Sequence, residues 1–87
     1  MSIYQLKTDI VNKITEKYKG KSEDPNLVSA VRSDTTALLT NAQKNGIIRT
    51  FENVYVRKTS RGTVQIRVRL YPNFLGALVK LDFEVGI

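Results

Sequence analysis

The stretch TVQIRVRL, residues 63–70, alternates polar and apolar side chains without interruption. A two-residue period places successive side chains on opposite faces of an extended chain, so this stretch predicts a half-buried β-strand. Two of its polar positions are Arg67 and Arg69. They indicate either a basic face that meets a nucleic acid or a strand whose charges are neutralised by other residues of the chain.

Similar alternation lies on both sides of this strand. Residues 47–58, IIRTFENVYVRK, predict a first strand with an interruption near Glu52 and Asn53, and TSRG at 59–62 predicts a turn. The segment PNFLG at 72–76 ends the central strand, and ALVKLDFEVGI at 77–87 predicts a third strand. One face of that strand is apolar and comprises Ala77, Val79, Leu81, Phe83, Val85 and Ile87. The other face comprises Leu78, Lys80, Asp82 and Glu84.

The first half of the chain has helical periodicity instead. Residues 3–19 predict an amphipathic helix, and Gly20 is a plausible end for it. A second helix is expected to begin at Asp24-Pro25, because the carboxylate can cap amide donors and proline lacks an N–H at a position where none is needed. Its end is expected at Asn45-Gly46, since glycine tolerates the left-handed conformation that closes a helix.

Two helices followed by three strands predict an α+β fold, with the helices on one face of an antiparallel three-stranded meander that has open edges. A length of 87 residues allows one domain, which we expect to span residues 1–87. Within it, residues 1–20 form the N-terminal amphipathic helix. Residues 24–87 form a module of one helix and three strands.

Composition narrows the classes of function. The sequence has 0 cysteines and 0 histidines, which excludes disulfides, Cys/His zinc sites and catalysis by an imidazole or a thiol. No apolar run is long enough for a membrane span, and the N-terminus lacks the apolar core of a signal peptide. We therefore expect a cytosolic setting, or a particle assembled in the cytosol, and no membrane partner. The net charge of +6 favours a polyanionic or acidic partner.

The sequence contains no pattern typical of an active site. Asp82 and Glu84 are neighbours on one strand face, but two carboxylates supply too few oxygen ligands for a hard cation. No glycine-rich phosphate loop is present, and the serine and threonine residues have no histidine base. We expect a protein that is not an enzyme and that has no catalytic residue, cofactor or metal site.

The charges of the central strand have candidate partners inside the domain. A hairpin around residues 72–76 places Arg67 opposite or diagonal to Asp82 or Glu84, and it places Arg69 near Asp82 or Lys80. Oppositely charged cross-strand pairs stabilise a sheet and help to fix its register. These four residues, Arg67, Arg69, Asp82 and Glu84, are therefore predicted to serve intramolecular strand pairing.

A nucleic acid is the less favoured partner of this face. On the side of the first strand, the two arginines are expected to lie near Phe51 and Asn53, whereas a phosphate-reading sheet presents unopposed cations interleaved with exposed aromatics. The alternative hypothesis remains a small basic nucleic-acid-binding protein, whose contacts would be Lys58, Arg61, Arg67 and Arg69.

The outer strands provide the stronger functional signal. A three-stranded sheet leaves two edges, here at residues 48–56 and 79–85, whose backbone groups can pair with a strand of another chain. The candidate partner-binding residues on the last strand are Val79, Leu81, Phe83 and Val85. In the predicted turn, Arg57, Lys58 and Arg61 are the cations expected to meet an acidic neighbour.

Two longer stretches resemble a known family. VRSDTTALLTNAQKNGIIRTFENVYV and GTVQIRVRLYPNFLGALVKLDFEVGI are similar to the C-terminal domain of phage contractile-tail sheath proteins. The resemblance covers roughly residues 27–87 and rests on a helix with an arginine, a glycine after it, and the spacing of the strands. The matching positions are Arg32, Leu38, Leu39, Gly46, Val64, Ile66, Val68, Pro72, Leu81, Phe83 and Val85.

The resemblance implies a structural role in the tail of a virion, assembled in the cytoplasm of the bacterial host. In such sheaths this domain lies toward the tail tube, and terminal arms of neighbouring subunits add strands to its sheet. The implied partners are copies of the chain or sheath subunits, together with tail tube and baseplate proteins. A sheath protein is several times longer, so we expect a sheath initiator at the baseplate, in preference to a reduced sheath-like component or a fragment. A further alternative is a regulatory domain that dimerises through its last strand.

Overall fold

The computed structural model describes residues 3–73 and 78–87. The elements are α1 at Ile3–Tyr18, α2 at Leu27–Lys44, β1 at Ile48–Ser60, β2 at Thr63–Pro72 and β3 at Val79–Gly86. Residues 74–76 of the predicted turn, and Ala77 at the start of the predicted third strand, lie outside the described residues. The predicted order of two helices and three strands is confirmed.

The strands of residues 3–73 and 78–87 form an open antiparallel sheet in the order β1-β2-β3. The stretch TVQIRVRL is therefore the central strand, and β1 and β3 are the edges. Its apolar side chains are buried beneath the helices, whereas Arg67 and Arg69 are exposed on the opposite side, here called the outward face. The predicted α+β meander with helices on one face is confirmed.

The two helices cover the sheet through apolar stripes. α2 packs on β1, and α1 contacts both α2 and β3. The stripe of α1 recurs at every fourth residue, which holds it on one side of the helix, and it comprises Leu6, Ile10, Ile14 and Tyr18. The buried residues of α2 are Leu27, Val31, Thr35, Leu39 and Ala42.

The start of α2 differs from the prediction. The helix begins at Leu27, after a turn in which Asp24 Oδ1 accepts the N–H of Asn26 at 2.8 Å. Because the bonded amide precedes the first helical residue, the carboxylate closes a local turn and does not cap the helix. Pro25 therefore lies in this turn and not in the first helical position, so the expected start at Asp24-Pro25 is wrong.

The end of α2 agrees with the prediction. Gly46 follows the helix with a φ of +76°, a value that L side chains rarely adopt. The N–H of Ile47 donates to the Ala42 carbonyl at 2.9 Å, and the N–H of Gly46 donates to that of Gln43 at 3.2 Å. These two bonds satisfy the last carbonyls of the helix, as in a Schellman motif, and turn the chain into β1.

A polar contact joins the end of α1 to the middle of α2. The hydroxyl of Tyr18 donates to Oδ2 of Asp34, and Lys17 Nζ lies 3.0 Å from the same oxygen. Burial, followed by the bond to Asp34, raises the pKa of Tyr18 to about 12. Burial alone raises the pKa of Asp34, but the hydrogen bonds from Tyr18 and Lys17 outweigh it and hold that pKa below its usual value.

Candidate functional site

The free edge of β3 presents backbone donors and acceptors at alternate residues. Residues of β2 and β3 are opposed without a break from Thr63–Gly86 to Leu70–Val79. Just beyond this ladder, the N–H of Ile87 donates to the carbonyl of Gly62 at 2.7 Å. Hydrogen-bonded and non-bonded pairs alternate along an antiparallel ladder. The backbone groups that point away from β2 therefore belong to Lys80, Asp82, Glu84 and Gly86.

Apolar surface lies beside this edge on the helix side. Phe83 and Val85 are buried, and Lys7 of α1 lies over the Phe83 ring with Nζ 5.7 Å from its centroid. Val79 and Leu81 are only half-buried. The predicted partner-binding side chains thus divide into two that complete the core and two that retain exposed apolar area next to the unpaired backbone.

The middle of the outward face is a connected polar network. Arg67 lies opposite Asp82, and its Nε donates to Asp82 Oδ2 at 3.1 Å. Gln65 donates to the other carboxylate oxygen at 2.6 Å, and Arg57 Nε donates to Gln65 Oε1 at 2.7 Å. Both oxygens of Asp82 are therefore engaged within the sheet, and this network joins all three strands.

Arg69 lies beside Lys80, one of its two predicted neighbours on β3, and has a further partner on β1. It lies opposite Lys80 on β3, and its acidic neighbour is Glu52 of β1, with 3.9 Å between Arg69 Nη1 and Glu52 Oε1. The same Glu52 oxygen accepts the hydroxyl of Tyr71 at 2.8 Å, which raises the pKa of that tyrosine. Asp82 does not pair with Arg69, because its two carboxylate oxygens already accept hydrogen bonds from Gln65 and Arg67.

Glu84 and Lys80 are the charged residues of β3 that stay without a polar partner among residues 3–73 and 78–87. Glu84 lies opposite Gln65, whose amide is bonded to Asp82 and Arg57. Arg67 is opposite Asp82 and diagonal to Glu84, as predicted, and its ion pair is with Asp82. Both unpaired charges therefore flank Asp82 along the free edge.

A shallow cleft of about 400 Å³ lies on the outward face between the three strands. Tyr55 contributes an aromatic side chain that is 47% exposed. The residues that line the cleft are Asn53, Tyr55, Arg67, Val68, Arg69, Lys80, Leu81 and Asp82. Three of these side chains are cationic and one is anionic, so the cleft has an excess of positive charge.

The three cations predicted for the turn are separated. The turn consists of Arg61 and Gly62 only, because β1 continues to Ser60 and places Arg57 and Lys58 within the strand. Arg57 projects on the outward face, whereas Lys58 Nζ donates to the Ser22 carbonyl at 2.6 Å. Arg61 Nε lies 3.1 Å from Glu23 Oε1. The latter two cations thus attach the hairpin to the loop between the helices and do not form one basic surface with Arg57.

The residues of β1 opposite the two arginines differ from those predicted, by one residue for Arg69 and by two for Arg67. Glu52 and Tyr55 lie opposite Arg69 and Arg67, where Phe51 and Asn53 were expected. The cause is a register shift between Glu52 and Tyr55, at which Asn53 adopts a φ of 56°. The signal was present in the sequence, because the apolar positions of β1 are spaced irregularly around Asn53, and asparagine tolerates left-handed backbone.

The two edges differ in regularity. The ladder between β1 and β2 shifts register in three places, whereas the ladder between β2 and β3 is regular over eight opposed pairs. Bulges bend a strand and interrupt the row of groups that a second chain can pair with. The edge of β3 is therefore the better template for an added strand.

Other kinds of site receive no support from the described residues. Within residues 3–73 and 78–87, no three acidic, histidine or cysteine side chains are grouped so that they could hold a metal ion. None of the described helices has the length and apolar character needed to cross a membrane. No protein-family model, no curated protein and no solved structure matches this chain.

Proposed function

We propose that this chain is a structural assembly protein that joins neighbouring subunits by adding a strand to the free edge of β3. The observation on which this proposal rests is the regular, unpaired edge at Lys80, Asp82, Glu84 and Gly86. Main-chain hydrogen bonds supply the affinity in such β-augmentation, and alternate side chains supply the specificity. The half-buried Val79 and Leu81 provide apolar area that an incoming strand covers.

The setting that we propose is a contractile phage tail or a related injection machine, with the chain as a sheath initiator or sheath-like module. The support is the resemblance of residues 27–87 to the C-terminal domain of sheath proteins. The α+β architecture with an accessible sheet edge is compatible with accepting a neighbour's arm. Sheath subunits, further copies of the chain, and tail tube and baseplate proteins are the proposed partners.

Backbone pairing at β3 is tested by Glu84→Pro, with Glu84→Thr as the matched control. Proline at position 84 removes an N–H that points to the free edge and leaves the ladder to β2 intact. Threonine removes the same charge but keeps the N–H. We expect both variants to retain the wild-type circular dichroism spectrum, and only the proline variant to lose assembly.

Assembly is read by light scattering over a range of concentrations and by electron microscopy of the purified protein, where rings or tubes are the expected products. Equal assembly of Glu84→Pro and Glu84→Thr contradicts the use of the β3 edge. A closed dimer that never extends contradicts the tail assembly role and favours a dimerising regulatory domain. Genes for a tail tube and a baseplate beside this gene would support the proposed setting.

A second candidate function, nucleic-acid binding, is favoured by the exposed Tyr55 ring beside Arg67 and Arg69 on the outward face. Aromatic side chains interleaved with cations form stacking surfaces for single strands. Against it, Lys58 and Arg61 lie away from this face, and Arg67 is paired with Asp82. Fluorescence titration with single-stranded and duplex DNA at several salt concentrations tests this function. If the protein binds phosphates, its affinity for DNA falls steeply as the salt concentration rises.

A further inference from the structure

Three rows of outward-facing side chains run across all three strands. Directly opposed residues share a face of a sheet, so the register defines each row. The first row is Glu52, Arg69 and Lys80; the second is Tyr55, Arg67 and Asp82; the third is Arg57, Gln65 and Glu84. The second and third rows are each neutral in sum, whereas the first has one uncompensated positive charge.

The uncompensated charge lies at the edge of the sheet. Arg69 has Glu52 on its β1 side, but on its other side it faces Lys80, which has no polar partner among residues 3–73 and 78–87. Lys80 is one of the residues whose backbone groups point away from β2, so its pair with Arg69 is non-hydrogen-bonded. Side chains approach most closely in such pairs, and like charges directly opposed are destabilising.

An added strand places one side chain in this row. A residue paired with the free backbone groups of Lys80 lies directly opposite it on the outward face, at the open end of the cleft lined by Arg69 and Lys80. A carboxylate at that position neutralises the row. Two residues further along, Asp82 is already satisfied by Arg67 and Gln65, so the partner's residue there does not need a charge.

We propose that the strand that joins β3 presents an aspartate or glutamate opposite Lys80. This inference rests on the proposed function and specifies the chemistry of its partner. The occupant is an extended segment of a neighbouring chain with an acidic side chain at that one position. The same segment presents a basic or polar side chain opposite Glu84, the other unpaired charge of the edge.

The sequence of β3 supplies both charges of this description and provides a probe. In an antiparallel pair centred on Asp82, the Glu84 of a peptide lies opposite Lys80, and the Lys80 of the peptide lies opposite Glu84. Apolar side chains then meet on the helix side, where Leu81 opposes Phe83. A fluorescently labelled synthetic peptide with the sequence of Val79–Gly86 is therefore compared with the same peptide carrying Glu84→Lys. The Asp82 of the peptide opposes Asp82 of the chain, and this unfavourable contact is the same in both peptides compared.

The binding of both peptides is measured by fluorescence anisotropy with the wild-type chain and the Lys80→Glu variant. We expect the Glu84→Lys peptide to bind the wild type about two- to fivefold more weakly than the unmodified peptide. This is the change in affinity that corresponds to the loss of one cross-strand charge pair. With Lys80→Glu the preference is expected to reverse. Lys44→Glu, the same change of net charge at the exposed end of α2, is the matched control and keeps the wild-type preference.

The outcomes separate the two proposals. If both peptides slow amide exchange along β3 but bind equally well to every variant, the acidic partner residue is refuted and augmentation of β3 stands. If Lys44→Glu also reverses the preference between the two peptides, the effect comes from net charge, and the site at Lys80 is refuted. If neither peptide binds and Glu84→Pro assembles normally, both the inference and the use of this edge are refuted.

Discussion

Arg67 and Asp82 face each other across β2 and β3, with 3.1 Å between Nε and Oδ2. Gln65 holds the other oxygen of the same carboxylate, so the contact belongs to a network and not to an isolated ion pair. The arginine that suggested a phosphate-reading strand is thus engaged by a residue of the neighbouring strand. What the sheet leaves available is its two edges, of which that of β3 is the more regular.

We expect this pair to contribute little to stability. Both side chains are about half exposed, at 54% and 50%, and exposed pairs are screened by solvent. A double-mutant cycle with Arg67→Ala and Asp82→Ala is expected to give a coupling free energy of about 0.3–1 kcal/mol. Urea unfolding of the four proteins measures it. A coupling well above this range would mean that the network with Gln65 acts cooperatively.

The contact between Tyr18 and Asp34 is expected to matter more for stability at neutral pH. Asp34→Asn keeps the shape of the side chain but removes the charge, and we expect it to lower the free energy of unfolding by about 1–2 kcal/mol. The pKa of Asp34 is lowered in the folded protein, so its stabilisation is present above the usual value of 3.8 and is lost as the pH falls through the lowered pKa.

Thermal unfolding of wild type and Asp34→Asn from neutral to acidic pH measures this dependence. The two melting temperatures are expected to differ near neutrality and to converge in acid. Glu16→Gln, on the exposed side of α1, is a control for the loss of one carboxylate. A difference that stays constant down to the acidic limit would contradict the role of the ionised Asp34.

Tyr18 is expected to ionise later than an ordinary tyrosine. Its pKa is raised to about 12, so the folded state holds this proton more tightly than the unfolded state. The resulting stability is complete below the ordinary tyrosine pKa of 10.0 and is lost as the pH rises toward 12. The ultraviolet absorbance of tyrosinate measures the titration, and comparison with Tyr18→Phe identifies the late step. Tyr18→Phe with an unchanged late step would contradict the assignment.

The periodicity of the sequence was sufficient for the fold but not for the register of β1. The two helices, the central position of TVQIRVRL and the order of the sheet all follow from patterns that repeat over a whole element. The alignment of β1 depends on one extra residue at Asn53, and a shift by one residue moves every following side chain to the other face. A local irregularity of this kind has little weight in a periodic pattern.

The candidate site, too, was predictable from the sequence only in the features that do not depend on exact register. The exposed edge of β3 was predicted because it needs only the strand order, whereas the surroundings of Arg69 and Lys80 depend on the register of all three strands. The separation of Lys58 from Arg57 depends on where the hairpin turns. Sequence reasoning placed that turn over four residues, while the chain reverses over Arg61 and Gly62, where glycine provides a φ of +80°.

Asn53 is expected to be the most sensitive exposed position of β1. Its φ of 56° is unfavourable for most L residues, but asparagine tolerates it, and glycine adopts it without strain. We therefore expect Asn53→Ala to lower the free energy of unfolding by about 1 kcal/mol and Asn53→Gly to change it by only a few tenths. Chemical denaturation measures both. Equal effects of alanine and glycine would contradict a left-handed residue at this bulge.

The alternation of backbone groups along β3 predicts a pattern of amide exchange. The amides of Leu81, Phe83 and Val85 donate to β2 and are expected to exchange slowly, whereas those of Lys80 and Glu84 face the free edge and exchange rapidly in the dilute protein. Hydrogen exchange followed by NMR measures each of them.

Amide exchange in the assembled protein is expected to show which surface of the chain forms the joint. If a strand is added at β3, the amides of Lys80 and Glu84 become protected, while the exchange of Leu81 and Phe83 changes far less because those amides are already bonded. Protection of β1 amides instead would mean that the added strand joins the β1 edge of the sheet. Because β1 is bulged at Asn53, such protection would be expected only on one side of the bulge.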